Sequence, residues 1–223
     1  ALEVGGNGMN MTVPTLLEKG TDEQRELFIR GTVEGDYIWG QGYSEPGSGS
    51  DLASVRTKGE LSADGTKWII NGQKIWTSQG MQSTHMFMLV RTDKSVKKQA
   101  GISFLLVDLA ATGITIRPIA CITGDEEFCE VFFDNVRVPR ANLVGPLNHG
   151  WDIAKTLLGF ERLFVGSSKH CQYALKQLTI VAAARGLFAR PAFVARYAEL
   201  QLDTADLSAM YAHFSDMVKR GAA

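Results

Sequence analysis

The chain has 223 residues, 45% of them hydrophobic and 21% charged, and its 23 Lys plus Arg nearly balance 24 Asp plus Glu for a formal charge of -1. This reads as an ordinary soluble globular protein of one large domain or two small ones. It excludes the basic excess of a nucleic-acid binder or of a protein drawn to anionic membranes, and the longest apolar runs, such as Ile102 to Val107, are far too short for a membrane span.

The chain begins at Ala1 without methionine and without a basic-then-apolar signal segment. That start falls inside what reads as a structural element, so the sequence is taken as a fragment. Pro14 to Lys19 reads as a short helix closed by Gly20. Thr21-Asp22-Glu23-Gln24 then has the capping-box pattern. Leu27, Phe28 and Val33 supply the apolar side of the next helical segment, which Gly35 ends.

From Tyr37 the rhythm changes to short apolar runs at roughly twelve-residue spacing, the pattern of a sandwich or barrel. The runs are Tyr37–Tyr43, Ala53–Leu61, Trp68–Ile70, Gln73–Trp76, Met86–Arg91, Ile102–Asp108, Ile114–Pro118 and Glu130–Val138. Asn71-Gly72 between two of them favours a hairpin turn in which both central residues take positive φ. Gly145-Pro146 through Gly150 reads as a linker. Trp151 to Arg185 then reads as one long helix, with apolar residues at three- and four-residue spacing. Gly186 stops it, and Pro191 suits the first turn of a second helix. Phe193, Tyr197, Leu200, Leu207, Tyr211, Phe214 and Val218 form that helix's stripe. Two such helices are half of a four-helix bundle and leave an apolar face for further chain or a second subunit.

Several chemistries are absent. Gly47-x-Gly49 lacks the third glycine of a dinucleotide fingerprint, since Leu52 stands in its place. There is no Walker loop and no nucleophile elbow. Cys121, Cys129 and Cys171 show no C-x-x-C spacing, which argues against a disulfide framework or a zinc site and for a reducing compartment. His85, His149, His170 and His213 are scattered, so no metal site is expected. Lys94, Lys97 and Lys98 form a basic cluster that reads as a solvated turn.

Three constellations remain. The stretch Gln41–Asp51, QGYSEPGSGSD, has glycines that let backbone N–H groups converge on an electron-rich atom, with hydroxyls from Ser44, Ser48 and Ser50. Equally, it is a tight strand connection in which Asp51 caps the turn at Leu52. In Lys74-Ile75-Trp76-Thr77-Ser78-Gln79-Gly80, a tryptophan followed by hydroxyls suits a planar aromatic ligand, or a core tryptophan at a strand end. Glu161 projects from the apolar stripe, four after Leu157 and three before Phe164. Burial favours the protonated form of a carboxyl group, which suits a proton-abstracting base, or else an ion pair with further chain. Arg162 points about 100° away and need not neutralise it.

Taken in order, these segments resemble the acyl-CoA dehydrogenase family. The loop is similar to its Thr/Ser-Glu-Pro-x-x-Gly-Ser-Asp motif. Asn71 to Ser78 is similar to its NG-x-K-x-W-I-T segment, and Glu130 to Pro139 to its V-x-F-x-x-V-x-V-P stretch. Gly150-Trp151 and the following helix fit the next landmark. The resemblance implies an α+β multidomain fold, a middle antiparallel β barrel or sandwich flanked by helical segments. Residues 1–36 would close the N-terminal helical domain, 37–140 form the middle β domain, and 141–223 supply two helices of the C-terminal bundle.

The resemblance also implies FAD as cofactor and an acyl-CoA thioester as substrate, dehydrogenated between Cα and Cβ to the trans-2-enoyl-CoA. Gln41, Gly42, Tyr43, Ser44, Gly49 and Ser50 would face the flavin largely through backbone groups, with Ser50 toward the CoA side. Trp76, Thr77 and Ser78 would cover the ring, with a hydroxyl near its N5. Glu161 falls where a subset of the family, similar to isovaleryl-CoA and long-chain acyl-CoA dehydrogenases, carries the base. Base and flavin would grip the substrate from opposite sides. Arg162 would contact substrate. Arg185 would reach the pyrophosphate of a neighbouring subunit's flavin, although the surrounding pattern is eroded, with Ala189 for a glycine and Arg196 for a glutamine. The implied partners are an electron-transfer flavoprotein and further copies in a homodimer or homotetramer. The implied location is the cytoplasm, or the mitochondrial matrix in a eukaryote. Two rivals stay open: an acyl-CoA oxidase on the same fold, and a non-catalytic subunit with a degraded flavin site.

Overall fold

The computed structural model describes residues 6–221. A π-helical turn, Gly8–Thr12, runs into α1 (Val13–Lys19). The chain then passes through α2 (Asp22–Gln24), a π-helical stretch Arg25–Ile29 and α3 (Arg30–Glu34). The predicted capping box is present. The Gln24 N–H donates to Thr21 Oγ1 at 3.2 Å and the Thr21 N–H to Gln24 Oε1 at 3.1 Å. The Gln24 side-chain amide also donates to the carbonyls of Ala141 and Leu143, which ties the cap to the far end of the sheet. Gly35 ends α3 with φ 86°. Of the apolar side expected here, Phe28 is buried but Leu27 and Val33 are exposed. The π-helical stretch advances the helical face, so three- and four-residue spacing no longer marks one stripe.

Eight strands follow among the described residues: β1 (Trp39–Gly42), β2 (Lys58–Leu61), β3 (Lys67–Ser78), β4 (His85–Arg91), β5 (Ile102–Asp108), β6 (Ile114–Ile119), β7 (Phe128–Pro139) and β8 (Leu143–Val144). They lie in the order β6-β7-β3-β2-β4-β5-β8, with β1 paired to β4. β1 runs parallel to β4, and β2 meets β4 in parallel at Lys58 and Arg91. The sheet is therefore mixed and open, which corrects the antiparallel barrel or sandwich expected from strand spacing. Regular spacing reports how often the chain turns, not which strands pair.

β4 and β5 are buried on both faces. Phe87, Leu89, Ile102, Phe104 and Leu106 join one apolar cluster with Leu16, Phe28, Trp39, Tyr43 and Leu157. Met86, Met88, Val90, Leu105 and Val107 join a second with Trp68, Ile70, Val131 and Val136. This explains why the two strands read as unbroken apolar runs rather than as alternation.

The hairpin expected at Asn71-Gly72 does not form. β3 is continuous through both residues and pairs with β7 along its length, with two irregularities in register. At the first, the extra residue lies on β7, where Asn135 takes φ 49° and its N–H donates to Asn71 Oδ1 at 2.8 Å. Asn71 thus serves a bulge on the neighbouring strand instead of a turn in its own. Gly72, with φ 151°, leaves room for β2's approach: a Cβ there would lie 2.7 Å from Thr57 Cα.

Two compact units divide between Phe160 and Glu161. α4 (Gly150–Val165) begins in the first, where Ile153, Ala154 and Leu157 enter the core. The single helix expected from Trp151 to Arg185 is corrected. α4 stops at Val165 and α5 spans Lys169–Ala184. Gly166-Ser167-Ser168 lies between them; glycine and serine are weak helix formers, and the Ser167 hydroxyl accepts from the Lys169 N–H. Gly186 closes α5 with φ 63°, and Pro191 opens α6 (Pro191–Lys219) as expected. Gln172–Ser208 and Thr179–Tyr197 side-chain bonds show that α5 and α6 run antiparallel. Leu200, Phe214 and Val218 are exposed on α6. No helix among the described residues is long and apolar enough to cross a membrane.

Gly72→Ala adds a methyl against Thr57 in a backbone conformation that alanine disfavours. It should destabilise the sheet unit by about 1–3 kcal/mol, read as a lowered urea midpoint with an unchanged slope. Thr57→Ala in the same background should recover part of the loss.

Candidate active site

The Gln41–Asp51 loop and the Trp76 segment, separate in sequence, meet in the fold. Three bonds to loop carbonyls help join the loop to β3. The Thr77 hydroxyl donates to the Gln41 carbonyl at 3.3 Å, the Lys74 ammonium to the Tyr43 carbonyl at 3.2 Å, and the Ile75 N–H to the Ser44 carbonyl at 2.9 Å. Past Ser44 the chain turns sharply through Pro46-Gly47. Glu45 and Ser48 exchange both backbone hydrogen bonds, at 2.8 and 2.9 Å. The Ser48 hydroxyl then donates to the Asp51 carbonyl.

Individual loop residues take different roles. Gly42 is buried, and a Cβ there would meet Met86 Sδ at 2.5 Å, so this glycine is required for packing. The Tyr43 ring lies in the core, edge-on to Phe87 and Phe104. Gln41 and Ser44 are half-buried, while Gly47, Gly49 and Ser50 are exposed. Nothing lies within 4 Å of a Cβ built on Gly47 or Gly49. The Asp51 carbonyl accepts from the Ser54 N–H at 3.0 Å, but the Asp51 side chain does not make the capping bond expected at the turn Leu52–Ser54. Its carboxylate instead accepts from the Ser54 hydroxyl and from Lys98 at 2.7 Å. The lysine and the hydroxyl hold this carboxyl below its ordinary pKa. Lys98 is therefore a structural partner rather than only a solvated turn residue.

The second irregularity of β3 shapes the Trp76 segment. Between Lys74 and Thr77 the strand carries one residue more than β7 opposite. Trp76 takes φ 61° and Gln79 φ 53°, a left-handed conformation uncommon for such side chains. The bulge also reverses the inward–outward alternation. Lys74 and Thr77 are both fully buried, while Trp76 is 57% exposed, its indole edge-on to Phe128. Ser78 is half-buried at the strand end. Backbone strain of this kind concentrates at ligand sites.

Beneath the loop lies a pair that pattern reading did not single out. Lys74 Nζ is 2.8 Å from Glu45 Oε1, and the two side chains are 0% and 7% exposed. Glu45 also accepts from the backbone N–H groups of Arg56 and Thr57. The signal was available in the alternation: Lys74 shares its parity with Trp68 and Ile70, so it had to point inward. An inward lysine needs a partner. Burial pushes the Glu45 carboxyl up, but Lys74 and the two N–H donors outweigh it, and the net shift is downward. Lys74 is drawn down to about 8, first by burial, with Glu45 opposing and the Arg91 charge adding to it. Both shifts are downward, which favours the charged carboxylate but the neutral amine, because the carboxylate collects three donors while the ammonium finds two acceptors for its three N–H bonds.

In the second unit, Glu161 is half-buried on α4, and its Oε2 is buried without a hydrogen-bond partner. Arg162 is exposed beside it, and Arg185 is exposed at the end of α5.

A planar flavin fits this chain's own features: an indole held outward by a bulge, backbone-rich loop edges, and open space over Gly47 and Gly49. The family described as acyl-CoA dehydrogenase, middle domain, matches residues 40–136. Acyl-CoA dehydrogenase FadE34 of Mycobacterium tuberculosis is 50% identical over 150 residues, covering 67% of this chain and 21% of that protein. Two solved structures cover nearly all of this chain at 30% identity. One, described as the Tcur3481-Tcur3483 steroid ACAD, has TM-score 0.82 over 96% of this chain and 56% of that one. The other, the ChsE4-ChsE5 complex from Mycobacterium tuberculosis, has TM-score 0.83 over 97% and 57%. The chain thus spans a fifth to a little over half the length of these relatives. It belongs to the acyl-CoA dehydrogenase family.

Proposed function

We propose that this chain carries the flavin-binding face and the catalytic base of an FAD-dependent enzyme that dehydrogenates an acyl-CoA thioester to its trans-2-enoyl form. One observation carries the reading: the Gln41–Asp51 loop is bonded to the very strand whose bulge turns Trp76 outward. FAD, when bound, supplies the hydride acceptor. Backbone groups of Gln41, Gly42, Tyr43 and Ser44 form its edge contacts, since the Tyr43 side chain is committed to the core. Trp76 covers the ring, and its indole excludes water. Ser78 offers the hydroxyl at the strand end, while the Thr77 hydroxyl is already engaged with the Gln41 carbonyl. Gly49 leaves the backbone open, and Ser50 lies toward the CoA side.

Glu161 takes the α-proton. Its Oε2 has no competing donor, so the acceptor is free for a C–H proton. Arg162 serves the substrate's charged end. Arg185 is the residue offered to a neighbouring subunit's flavin. The relatives described as a steroid enzyme and as a two-component complex favour two refinements. The acyl group is bulky and polycyclic, and the mate is a second, homologous chain in preference to an identical copy. An electron-transfer flavoprotein then takes the electrons.

The full-length protein should be yellow, and a panel of acyl-CoAs should bleach it under anaerobic conditions, with steroid side-chain thioesters ahead of straight chains. No bleaching by any thioester rejects the reading, and prompt peroxide without an added acceptor points to an oxidase instead. Glu161→Gln should keep flavin but lose about 10²–10⁴-fold in turnover; wild-type turnover would move the base elsewhere. Trp76→Ala should weaken FAD binding by about 0.5–1.5 kcal/mol, measured by flavin fluorescence titration.

A further inference from the structure

We propose that Lys74 is a positioning residue for the flavin-binding loop, acting through Glu45 and the Tyr43 carbonyl without touching the cofactor; this rests on the flavin reading above. The geometry is that of a clamp. One ammonium group holds the carbonyl of Tyr43 and the carboxylate of Glu45. That carboxylate in turn holds the backbone N–H groups of Arg56 and Thr57, at 2.6 and 3.0 Å. Both limbs of the loop, the entry at residues 43–45 and the exit at 56–57, are thus fixed to a single point on β3. The next residue of β3, Ile75, binds the Ser44 carbonyl, and Trp76 follows at once in the bulge. The shape of the loop and the stance of the indole therefore share one anchor.

Stability alone does not account for this pair. The attraction between the two charges adds little by itself, because desolvating an ion pair offsets most of it. Two apolar residues of similar volume would fill the space but would not hold the Tyr43 carbonyl or the Arg56 and Thr57 N–H groups in place. What the pair supplies is the placement of backbone groups that the flavin reading needs.

The charged groups around Lys74 are Glu45, in contact, and Arg91. Arg91 is itself turned onto the carbonyls of Ala53 and Val55, beside the exit limb, and of Lys98 between β4 and β5. Two pH effects follow, with opposite signs. Lys74 titrates near 8 in the fold against an ordinary value of 10.5. Between those two values the unfolded chain binds the extra proton, so the Lys74 contribution to global stability rises with pH and is lost as pH falls through 8. The clamp behaves inversely: above 8 the ammonium loses its charge and its grip on the loop weakens. Glu45 is depressed, so its contribution is complete above its ordinary value of 4.5 and is lost as pH falls through the lowered one. A residue with a merely structural role would move loop and global stability together.

The test compares the chain with its Lys74→Met/Glu45→Gln variant, which removes both charges and leaves no unpaired ion. Amide hydrogen exchange is measured without ligand. The Glu45, Ser48 and Ile75 amides should exchange at least tenfold faster in the variant, with Leu89 and Phe104 unchanged. FAD titration should show at least tenfold weaker binding. Wild-type affinity should fall at least threefold from pH 7 to pH 9.5, while the variant's profile stays flat. Unchanged protection at the three loop amides, or parallel pH profiles, overturns the proposal. If the wild-type chain takes up no FAD, the flavin reading falls, and the exchange comparison still decides the positioning role. Should the double variant fail to fold, Glu45→Gln alone keeps the side-chain shape and carries the same comparison.

Discussion

The β4–β5 hairpin is the constraint on which the rest of the first unit depends. Its residues alternate between two apolar clusters, one shared with the leading helices and the start of α4, the other with β3 and β7. A strand covered on both faces cannot slip in register without moving large side chains into both layers at once. β1 is laid parallel against β4, with Trp39 opposite His85 and Gly42 opposite Met88. The loop therefore leaves from a fixed edge. The missing side chain of Gly42 is what permits the approach, because Met86 and Met88 already occupy that space.

Much of this was legible in sequence, and the failures have physical causes. The capping box at Thr21, the stops at Gly35 and Gly186, and the start at Pro191 depend on a few adjacent residues, and all four hold. Asn71-Gly72 failed because its local preference was overridden by a neighbour distant in sequence: the bulge at Asn135 uses the Asn71 side chain, and Thr57 uses the space over Gly72. The long helix failed at Gly166-Ser167-Ser168, where apolar spacing masked three weak helix formers. Sheet closure could not be read, since spacing carries no pairing partner. For the site, both motifs were visible, but not that Lys74 joins them. The inward parity of a lysine was the readable trace.

The two irregularities of β3 against β7 divide the labour between them. The first puts its extra residue on β7 and keeps Trp68, Ile70 and Lys74 on the inner face. The second puts its extra residue on β3, and the inner position passes from Lys74 to Thr77. Between the two, β3 carries a buried cation under the loop and then presents an indole outward. A regular strand would bury Trp76 together with Lys74 or expose both, given its strict alternation. The strained backbone at Trp76 and Gln79 thus reconciles a packed sheet with a usable surface.

Trp76 also gives the molecule an optical handle. Of its four tryptophans, Trp39 and Trp68 are buried, Trp151 is half-buried, and only Trp76 is exposed. Its indole therefore accounts for the red edge of the emission and for most of the quenching by solutes dissolved in water. Occupancy of the outward face, loosening of the clamp beneath it, or docking of another chain over it each changes the solvent contact of that one ring. Intrinsic fluorescence thereby reports on the state of this surface without any label.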